Sequence, residues 1–416
     1  MGNFSFRKCK IPTTWRLGTL GEISTSFSNQ RVPLKSADRK LRQGQYRYFG
    51  AQGVIDHIDD YIFDGKYLLV AEDGENVKSR KYDIAFVVEG KFWVNNHAHV
   101  LQGNAFGDTD YLRYVLNFVS IKEYVTGQAQ PKLNKAQLEK IVITIPPLDE
   151  QQKIAKVLST VDKKIDLIDQ KIEETEKLKT GIMQKLFSEG VGIQDDNGNW
   201  NPHTEFKNSN FGSIPSTWEV KNLKQIGECF IGLTYKPEDT TDSSGTLVLR
   251  SSNVQNQRLC LSNNVYVKCQ IPEKIQVKKG DILICVRNGS RALIGKSALI
   301  KKDMDNTTFG AFMSIFRSEL SDLIYQLFQT EIYRKQIYKN LGATINQITN
   351  KNLYSFEFPI PPKEERQKIV NVLTTIDNNI DLLIKQKAET QQLKKGLMQK
   401  LLTGEWRVPV EETEAA

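Results

Sequence analysis

The sequence predicts an α+β protein with two globular parts, each on a twisted, mainly antiparallel sheet, separated by two long coiled-coil helices. The first observation is an internal repeat: residues 145–187 recur as residues 360–402 without a gap, and 23 of the 43 paired positions are identical. The second is that short apolar runs bounded by Gly, Pro or charge precede each copy, as strands do. Because the repeat indicates one duplicated plan, we expect an internal pseudo-twofold relation between the two halves.

Each copy of the repeat predicts one long helix. Its apolar residues recur at alternating steps of four and three, which is the spacing of a coiled-coil seam. The seam residues are Ile154, Leu158, Val161, Ile165, Ile168 and Ile172 in the first copy, and Ile369, Leu373, Ile376, Ile380 and Leu383 in the second. A lone helix with one apolar stripe is marginal in water, so the simplest partner of each helix is the other one. Two unrelated surface helices are the alternative, but they would share length and register only by accident.

Flanking signals set the boundaries of the segments. Pro–Pro pairs precede both helices, and Gly190 and Gly404 follow them, as start and stop signals do. The unit starts also repeat, because IPTTW at 11–15 matches IPSTW at 214–218. We therefore predict globular domains at 1–147 and 206–362, long helices at 148–189 and 363–404, a linker with tight turns at 190–205, and a tail at 405–416.

Within the globular parts the patterns predict short strands and a few helices. Residues 309–316 have the apolar character of one buried strand, and residues 320–340 have the spacing of one helix. His97 and His99 alternate along a predicted strand, so we expect them on one face, in packing or polar contacts rather than as metal ligands.

Composition narrows the class of protein. The net charge is +8 and the pI about 9.0, which suits a polyanionic partner without being specific for one. No apolar run is long enough to span a bilayer, and the first residues lack the apolar core of a signal peptide, so we expect a cytoplasmic protein with no membrane contact. The five cysteines form no CxxC pair, which predicts free thiols in a reducing compartment.

The sequence carries no recognisable active site. It has no G-x-x-x-x-G-K-[ST] phosphate loop, and its four histidines have no metal-ligand spacing. We therefore expect no catalytic residue, no metal site and no cofactor bound by this chain. One pattern keeps a nuclease open as an alternative: Asp83, Glu89 and Lys91 have the spacing of a Mg²⁺-dependent nuclease, although the second unit lacks the Glu and the Lys at the paired positions.

The chain does carry polar loops suited to recognition, where side chains beside glycine follow predicted strands. Arg fits guanine, Asn and Gln fit adenine, and Lys or Arg can fix the register on phosphates. The candidate DNA-binding residues of the first unit are Gln52, Asn76, Lys78, Arg80, Asn95, Asn96, Gln128, Gln130, Lys132 and Asn134. Those of the second unit are Arg250, Ser251, Asn253, Arg287, Asn288, Ser290, Arg291, Thr344, Asn346 and Gln347. For any single residue, an ordinary solvated loop is the alternative.

This combination resembles the DNA-specificity subunit of Type I restriction–modification enzymes. The resemblance is carried by the repeated IPP-x-x-E-[QR]-Q-K-I run that enters each long helix, by the helix ends GIMQKLF and GLMQKLL, and by the starts IPTTW and IPSTW. It implies that each globular part is a target-recognition domain that reads one half of a bipartite, asymmetric site in double-stranded DNA. It also implies that the two long helices pack antiparallel as the spacer between the two domains and that this subunit catalyses nothing.

The resemblance implies partners as well. Two methyltransferase subunits would dock on the helices and bring S-adenosylmethionine. Whether two restriction–translocase subunits, with ATP and Mg²⁺, join them stays open, as do the bases read and the helix faces used. Besides the nuclease, a coiled-coil scaffold for proteins without DNA contact is the other alternative, and DNA affinity that falls steeply with salt would distinguish a reader from it.

Overall fold

The computed structural model describes residues 4–6, 10–127, 129–342 and 346–409. The chain divides into two compact units, of which unit one comprises Met1–Lys171 with Leu383–Ala416, and unit two comprises Ile172–Leu382. Each long helix therefore contributes one half to each unit, because the two halves pack on different globular parts. The sequence predicts the helices as segments of their own, and this division by packing is the main difference.

Unit one is built on a six-stranded sheet. The strands are β1 (Arg16–Thr19), β2 (Ser24–Ser26), β3 (Gln43–Gly50), β4 (Gly53–Ile58), β5 (Phe63–Ala71), β6 (Ala85–Val94), β7 (Ala98–Gly103) and β8 (Val142–Ile145). The helices are α1 (Leu20–Ile23), α2 (Ser36–Leu41), α3 (Glu75–Ser79), α4 (Thr109–Phe118), α5 (Lys135–Glu139) and the long α6 (Leu148–Ser188).

The order of the sheet in unit one is β2-β7-β5-β6-β3-β4, and every pair is antiparallel except β3 with β6. Gly65 and Gly90 face each other in the β5–β6 hairpin and both have positive φ, at 130° and 88°. Glycine is suited to this backbone conformation, because it has no Cβ to oppose a positive φ. β1 and β8 form a separate antiparallel pair that leads into α6.

Unit two contains two four-stranded sheets. Its strands are β9 (Ile193–Gln194), β10 (Trp200–Asn201), β11 (Phe206–Ser209), β12 (Gly212–Pro215), β13 (Glu219–Asn222), β14 (Glu228–Ile231), β15 (Thr240–Thr241), β16 (Thr246–Leu249), β17 (Val254–Gln255), β18 (Arg258–Leu259), β19 (Val265–Val267), β20 (Ile282–Cys285), β21 (Ser297–Leu299), β22 (Thr307–Phe309), β23 (Met313–Arg317) and β24 (Glu357–Ile360). Its helices are α7 (Leu223–Ile226), α8 (Ser321–Leu327), α9 (Glu331–Asn340), α10 (Asn350–Tyr354) and the long α11 (Lys363–Thr403). The sheet orders are β14-β23-β20-β21 and β15-β19-β16-β22, with only β16 and β22 parallel.

Two elements of unit two differ from their prediction. Residues 309–316 form two strands rather than one, because the turn at Gly310–Phe312 separates β22 from β23. In this turn the N–H of Met313 donates to the carbonyl of Gly310. Residues 320–340 form α8 and α9 rather than one helix. The break lets Phe328 stack on Tyr333, with ring centres 4.2 Å apart, and both rings are buried.

The long helices run antiparallel inside each unit. In unit one Asp162 pairs with Lys394 and Asp169 with Lys387, both at 2.6 Å, so residue numbers fall along α11 as they rise along α6. In unit two Lys179 pairs with Asp377 at 2.6 Å, and both side chains are buried. Six predicted seam residues are buried, namely Ile154, Leu158, Ile168, Ile369, Leu373 and Ile380, and Val161, Ile165, Ile172, Ile376 and Leu383 are half-buried. This pattern fits the coiled coil that the sequence predicts.

The repeated motifs join each helix to its globular part. The indole N–H of Trp15, from IPTTW, donates to the carboxylate of Glu150 in the first turn of α6 at 2.8 Å. The indole N–H of Trp218, from IPSTW, donates in the same way to Glu365 in α11 at 2.7 Å. Both carboxylates are buried, so each needs several donors to offset the loss of water.

The remaining donors differ between the units. Arg407, which follows α11, donates twice to Glu150 at 2.6 and 2.8 Å. Glu365 instead accepts the backbone N–H groups of Val191 and Gly192 and lies 2.9 Å from Nε2 of His203. The predicted linker is thus held in place on unit two by the carboxylate that begins α11.

Replacing Glu365 by Ala leaves the Trp218 indole, two backbone N–H groups and His203 without their shared acceptor. We expect the change to destabilise unit two by about 3–5 kcal/mol, which is the usual cost of removing one partner from a buried, hydrogen-bonded charged group. Urea unfolding followed by tryptophan fluorescence measures the shift. Glu364→Ala, at an exposed neighbour in the same helical turn, is the control and should change stability by no more than about 0.5–1 kcal/mol. Equal midpoints for the two variants would contradict this role of Glu365.

Candidate nucleic-acid interface

The candidate DNA-binding residues of unit one fall in four segments, near 52, 76–80, 95–96 and 130–134, and these segments lie side by side. The N–H of Glu72 donates to the carbonyl of His97 at 2.9 Å, and the N–H of Leu133 donates to the carbonyl of Glu72 at 2.7 Å. The N–H of Asn95 donates to the carbonyl of Phe49, which brings in the β3–β4 turn that carries Gln52. Loops that are separated by up to about 80 positions in the chain therefore form one cluster.

A buried carboxylate, which the sequence analysis did not single out, lies at the centre of this cluster. Glu72 accepts from the guanidinium of Arg31 at 2.7 Å and from the ammonium of Lys132 at 3.1 Å. Arg31 also donates to the carbonyls of Asn96 and Ala98, at 3.3 and 2.8 Å. Glu72 and Arg31 thus fix the shape of the loops through these buried contacts. Lys132, a predicted DNA contact, is held by the same carboxylate.

The electrostatics of this network are set by burial and by the cations. Burial alone raises the pKa of Glu72, but the cations Arg31 and Lys132 outweigh it and hold the pKa of the carboxyl below its ordinary value. Burial lowers the pKa of His99, which favours the neutral ring. Its Nε2 donates to the carbonyl of Leu133 at 2.7 Å, and its Nδ1 lies 3.4 Å from the hydroxyl of Ser28.

The two histidines do not share a face. β7 begins at Ala98, so His97 lies in the preceding turn, half exposed, with Nδ1 2.7 Å from the carboxylate of Asp73. His99 lies in the strand and is buried. Both make polar contacts, as expected, and no group of His, Cys, Asp or Glu in the described part of the chain could hold a metal ion.

Some candidates of unit one serve the fold itself. The guanidinium of Arg80 donates to the carbonyls of Leu116, Asn117 and Val119, at the C-terminal end of α4, where a cation offsets the helix dipole. Burial lowers the pKa of Arg80 to about 10, so it remains charged at neutral pH. Asn76 is buried and bonds the backbone of Tyr82. Asn95 is buried and accepts the N–H of His97, and Asn134 caps α5.

The candidate residues of unit two fall in three segments, near 250–253, 287–291 and 346–347, and these segments also contact one another. The amide of Asn288 donates to the hydroxyl of Ser251 at 3.1 Å, and the amide of Asn346 donates to the carbonyl of Gly289 at 3.0 Å. Arg287 and Gln347 form an antiparallel backbone bridge. In unit one a bridge joins Asp73 to Lys132, and Lys132 is the repeat mate of Gln347. The two units therefore build similar loop junctions from different side chains.

Exposure divides the candidates into two groups. Exposed side chains are those of Gln52, Lys78, Asn96, Gln130, Lys132, Arg287, Ser290 and Arg291. Asn253 is buried and bonds Cys260 and Asn264, while Arg250, Ser251, Asn288, Asn346 and Gln347 are half-buried. Gln128 and Thr344 lie outside the described residues. We propose a structural role for Asn76, Arg80, Asn95 and Asn253, because their polar groups are used by the protein.

An exposed aromatic ring, Phe312, completes the cluster of unit two. Its ring lies in the turn between β22 and β23, is 56% exposed, and is 5.1 Å from the guanidinium carbon of Arg287. The sequence analysis missed Phe312 as a candidate, because a residue inside the single buried strand predicted over 309–316 would not be exposed. The Gly-Ala before it was the only local sign of a turn.

The nuclease pattern does not assemble. Glu89 and Lys91 lie within β6, whereas Asp83 precedes that strand. Ala85, where the strand begins, is already about 13 Å from Glu89 at about 3.3 Å per residue. Metal ligands lie about 2.0–2.6 Å from their ion, so Asp83 and Glu89 cannot share one in this arrangement.

Cysteines and membrane contact complete the description of both units. Cys229, Cys260, Cys269 and Cys285 are free thiols, and Cys9 lies outside the described residues. In the part of the chain that the structure describes, each helix is either too short or too polar to cross a membrane.

Two similar units, each with a junction of polar loops and each sharing two antiparallel helices, define a duplicated recognition protein. Residues 12–177 and 215–392 match the family described as Type I restriction modification DNA specificity domain. The chain therefore belongs to this family, whose members recognise DNA as non-catalytic specificity subunits of Type I restriction–modification systems.

Relatives and solved structures agree with this family. The chain is 28% identical over 424 residues to the Type I restriction enzyme MjaVIII specificity subunit of Methanocaldococcus jannaschii, covering 96% of this chain and 94% of that protein. It is 31% identical over 310 residues to the putative type I restriction enzyme MjaX specificity subunit of the same organism, covering 72% and 68%. The fold is similar to the crystal structure of the Type-I restriction-modification system S subunit from M. genitalium, with a TM-score of 0.62 at 15% identity, covering 95% of this chain and 97% of that one.

Glu72→Gln should destabilise unit one and change its response to acid. Because the folded state holds the pKa of Glu72 below its ordinary value of 4.5, its contribution is complete above pH 4.5 and is lost as the pH falls further. We therefore expect the variant to lose about 3 kcal/mol at pH 7 and to have a shallower decline in stability below pH 4.5. Urea unfolding between pH 7 and pH 3.5 measures both effects.

Glu75→Gln is the matched control for this prediction, since Glu75 is exposed at the start of α3, three positions after Glu72. It should leave both the midpoint at pH 7 and the acid slope close to those of the wild type. A Glu72→Gln variant with the wild-type slope would show that the carboxylate does not govern the acid response of these loops.

Proposed function

We propose that the chain reads a bipartite, asymmetric site in double-stranded DNA, one half with each target-recognition domain, at 1–147 and 206–362. The observation that carries this proposal is the pair of similar loop junctions, with Asp73 bridged to Lys132 in one unit and Arg287 to Gln347 in the other. A repeated backbone with different side chains is what two different half-sites require, because bases are distinguished by the donors and acceptors that reach them.

The exposed members of each junction are the proposed DNA contacts. In unit one Lys78 supplies positive charge for phosphates, and Lys132 supplies the ammonium N–H groups that its pair with Glu72 does not use, while Gln52, Asn96 and Gln130 supply amides for base edges. In unit two Arg287 and Arg291 supply both charge and forked donors, and Ser290 supplies a hydroxyl. The buried asparagines and Arg80 hold the loops in shape and have no proposed base contact.

The long helices are the proposed spacer between the two half-sites. Each has 41 residues, or about 60 Å at about 1.5 Å per residue. Readers on one face of B-DNA need half-sites about one helical turn apart, roughly 34–36 Å, which a rod of this length can accommodate. The antiparallel pairing inside each unit supports this role, because a pair of helices resists bending better than one.

Inserting one heptad at repeat-equivalent positions of α6 and α11 should lengthen the spacer of the recognised site. Seven residues add about 10 Å, which corresponds to about three base pairs at about 3.4 Å each. Binding-site selection on the variant measures the spacer directly. The same insertion in the β9–β10 turn at 195–199, which lies outside the helices, is the control and should return the original site. A heptad variant that also returned the original spacer would refute the role of the helices as the spacer.

Docking of two methyltransferase subunits has support from the exposed leucines of the helices. Leu167 and Leu393 in unit one are 56% exposed, and their repeat mates Leu382 and Leu178 in unit two are 53% and 58% exposed. Leu167 and Leu382 come one position before the seam residues Ile168 and Leu383. Leu178 and Leu393 come one position before Lys179 and Lys394, which pair across the two helices, so all four leucines lie on the same flank of the stripe. Exposed apolar side chains grouped on one flank are typical of a protein-binding surface.

The repeat relation of these leucines favours two partners rather than one. Each unit has one such leucine from α6 and one from α11, so a methyltransferase that fits one set fits the other. Those subunits would supply S-adenosylmethionine, and restriction–translocase subunits, if they join, would supply ATP and Mg²⁺. We infer a cytoplasmic site of action, because chromosomal DNA is the proposed ligand.

Replacing Leu167 and Leu382 together by Glu should weaken methyltransferase binding at both sites by at least about tenfold, since a charge in an apolar contact loses its hydration. Sedimentation of the mixed subunits measures the stoichiometry. Gln170→Glu with Gln386→Glu adds the same charge at exposed polar positions of the same helices and should leave two methyltransferases bound. A leucine variant that still binds two would place the docking surface elsewhere.

A further inference from the structure

We infer that Arg287 reads a guanine in the half-site bound by unit two, and that Phe312 is the platform that positions it. The inference rests on the proposed two-part recognition and deepens it, because it assigns one base to one side chain. It is carried by the contact between these two residues and by a comparison with the repeat mate of Arg287 in unit one.

The backbone fixes Arg287 and Phe312 against each other. The N–H groups of Val286 and Arg287 both donate to the carbonyl of Phe312, at 3.0 and 3.1 Å. Arg287 lies two residues after the end of β20, and the Gly310–Phe312 turn joins β22 to β23, so both residues are held close to sheet strands. The backbone position of the Arg287 side chain is thereby fixed, as the readout of a base requires.

The side chains add to this arrangement. The guanidinium of Arg287 lies over the Phe312 ring, 5.1 Å from its centre, and both side chains are exposed. Stacking on an aromatic face leaves the in-plane N–H groups of a guanidinium free. Within the described residues, the Arg287 side chain has no hydrogen-bond or ion-pair partner. Its forked donors are therefore available, and a fork of two parallel N–H groups matches O6 and N7 of guanine.

Unit one shows what this position looks like when it is occupied. The repeat mate of Arg287 is Glu72, and that of Gln347 is Lys132. Glu72 and Lys132 pair with each other at 3.1 Å, and Arg31 covers the same carboxylate. The side chain at this repeat position is therefore used in an internal ion pair in unit one, where it is Glu72, and is available to a ligand in unit two, where it is Arg287. This difference gives a physical reason for the two units to read different half-sites at this position.

Base contact rather than phosphate contact is the more specific part of the inference. A phosphate accepts a point charge, so Lys can replace Arg there, whereas guanine readout requires the fork. Arg291 provides the comparison inside the same loop: it is exposed as well, but no aromatic ring is in contact with it in the described residues. We assign Arg291 to the phosphates and Arg287 to a base.

Methylation mapping in a host that carries the chain with its methyltransferase tests the assignment. Arg287→Lys and Arg287→Gln should each reduce the preference for guanine at one position of one half-site by about ten- to a hundredfold, with the other half-site and the spacer unchanged. Phe312→Ala should relax the same position, and Phe312→Tyr should restore it. Arg291→Gln, the matched control, should lower methylation uniformly across all sites.

The outcomes separate this inference from the proposal beneath it. If Arg287→Lys keeps the wild-type motif and Arg287→Gln lowers methylation as uniformly as Arg291→Gln, Arg287 is a phosphate contact and the inference is overturned. If Phe312→Ala relaxes a different position, the platform role is overturned. A wild-type protein that yields no two-part motif refutes the proposed function itself. Urea unfolding of each variant confirms that it is folded before its motif is compared.

Discussion

A buried carboxylate at the start of each long helix is the contact on which the rest of the structure depends. Glu150 and Glu365 lie in the first helical turns, and each accepts the indole N–H of a tryptophan from the opening motif of its globular part. A charge without water requires every lone pair to be used, so the donors must be present for the helix to begin there. The globular part and the rod are thereby joined through polar groups that tolerate little displacement.

The donors that complete each carboxylate also bring the chain segments after the helices back to the globular parts. Arg407 returns from the end of α11 to Glu150, and the segment after α6 returns to Glu365 through two backbone N–H groups and His203. The same site is therefore satisfied by different residues in the two units. The constraint that was duplicated is the buried charge and its tryptophan, while the other donors were free to diverge.

The two long helices and the loop junctions show the same division, because the helix contacts are the same in both units and the loop side chains differ. Asp162 with Lys394 and Asp377 with Lys179 are repeat mates, and each pair joins α6 to α11 at 2.6 Å. Such polar pairs at a coiled-coil seam restrict the register, because a shifted register would leave a charge without its partner. Each loop junction has one backbone bridge to equivalent positions, Lys132 and Gln347, but the bridge is shifted by one residue on the other side and the side chains differ. A fixed frame with variable loops allows specificity to change without loss of the fold.

The sequence alone determined the long helices. The spacing of the apolar seam residues is a local pattern within each helix, and the repeat is visible when the two segments are compared, so neither depends on knowing the fold. The bounds of the helices, 148–188 and 363–403, lie within one residue of the predicted ones. The family also followed from the repeated motifs. Only the tertiary structure decided which polar loop residues are available: Asn76 and Arg80 look like Lys78 in sequence, yet they bond the backbone of distant segments. Phe312 lies in an apolar run, and a turn exposes it. Exposure depends on which strands pair, and that pairing is set by contacts far apart in the chain.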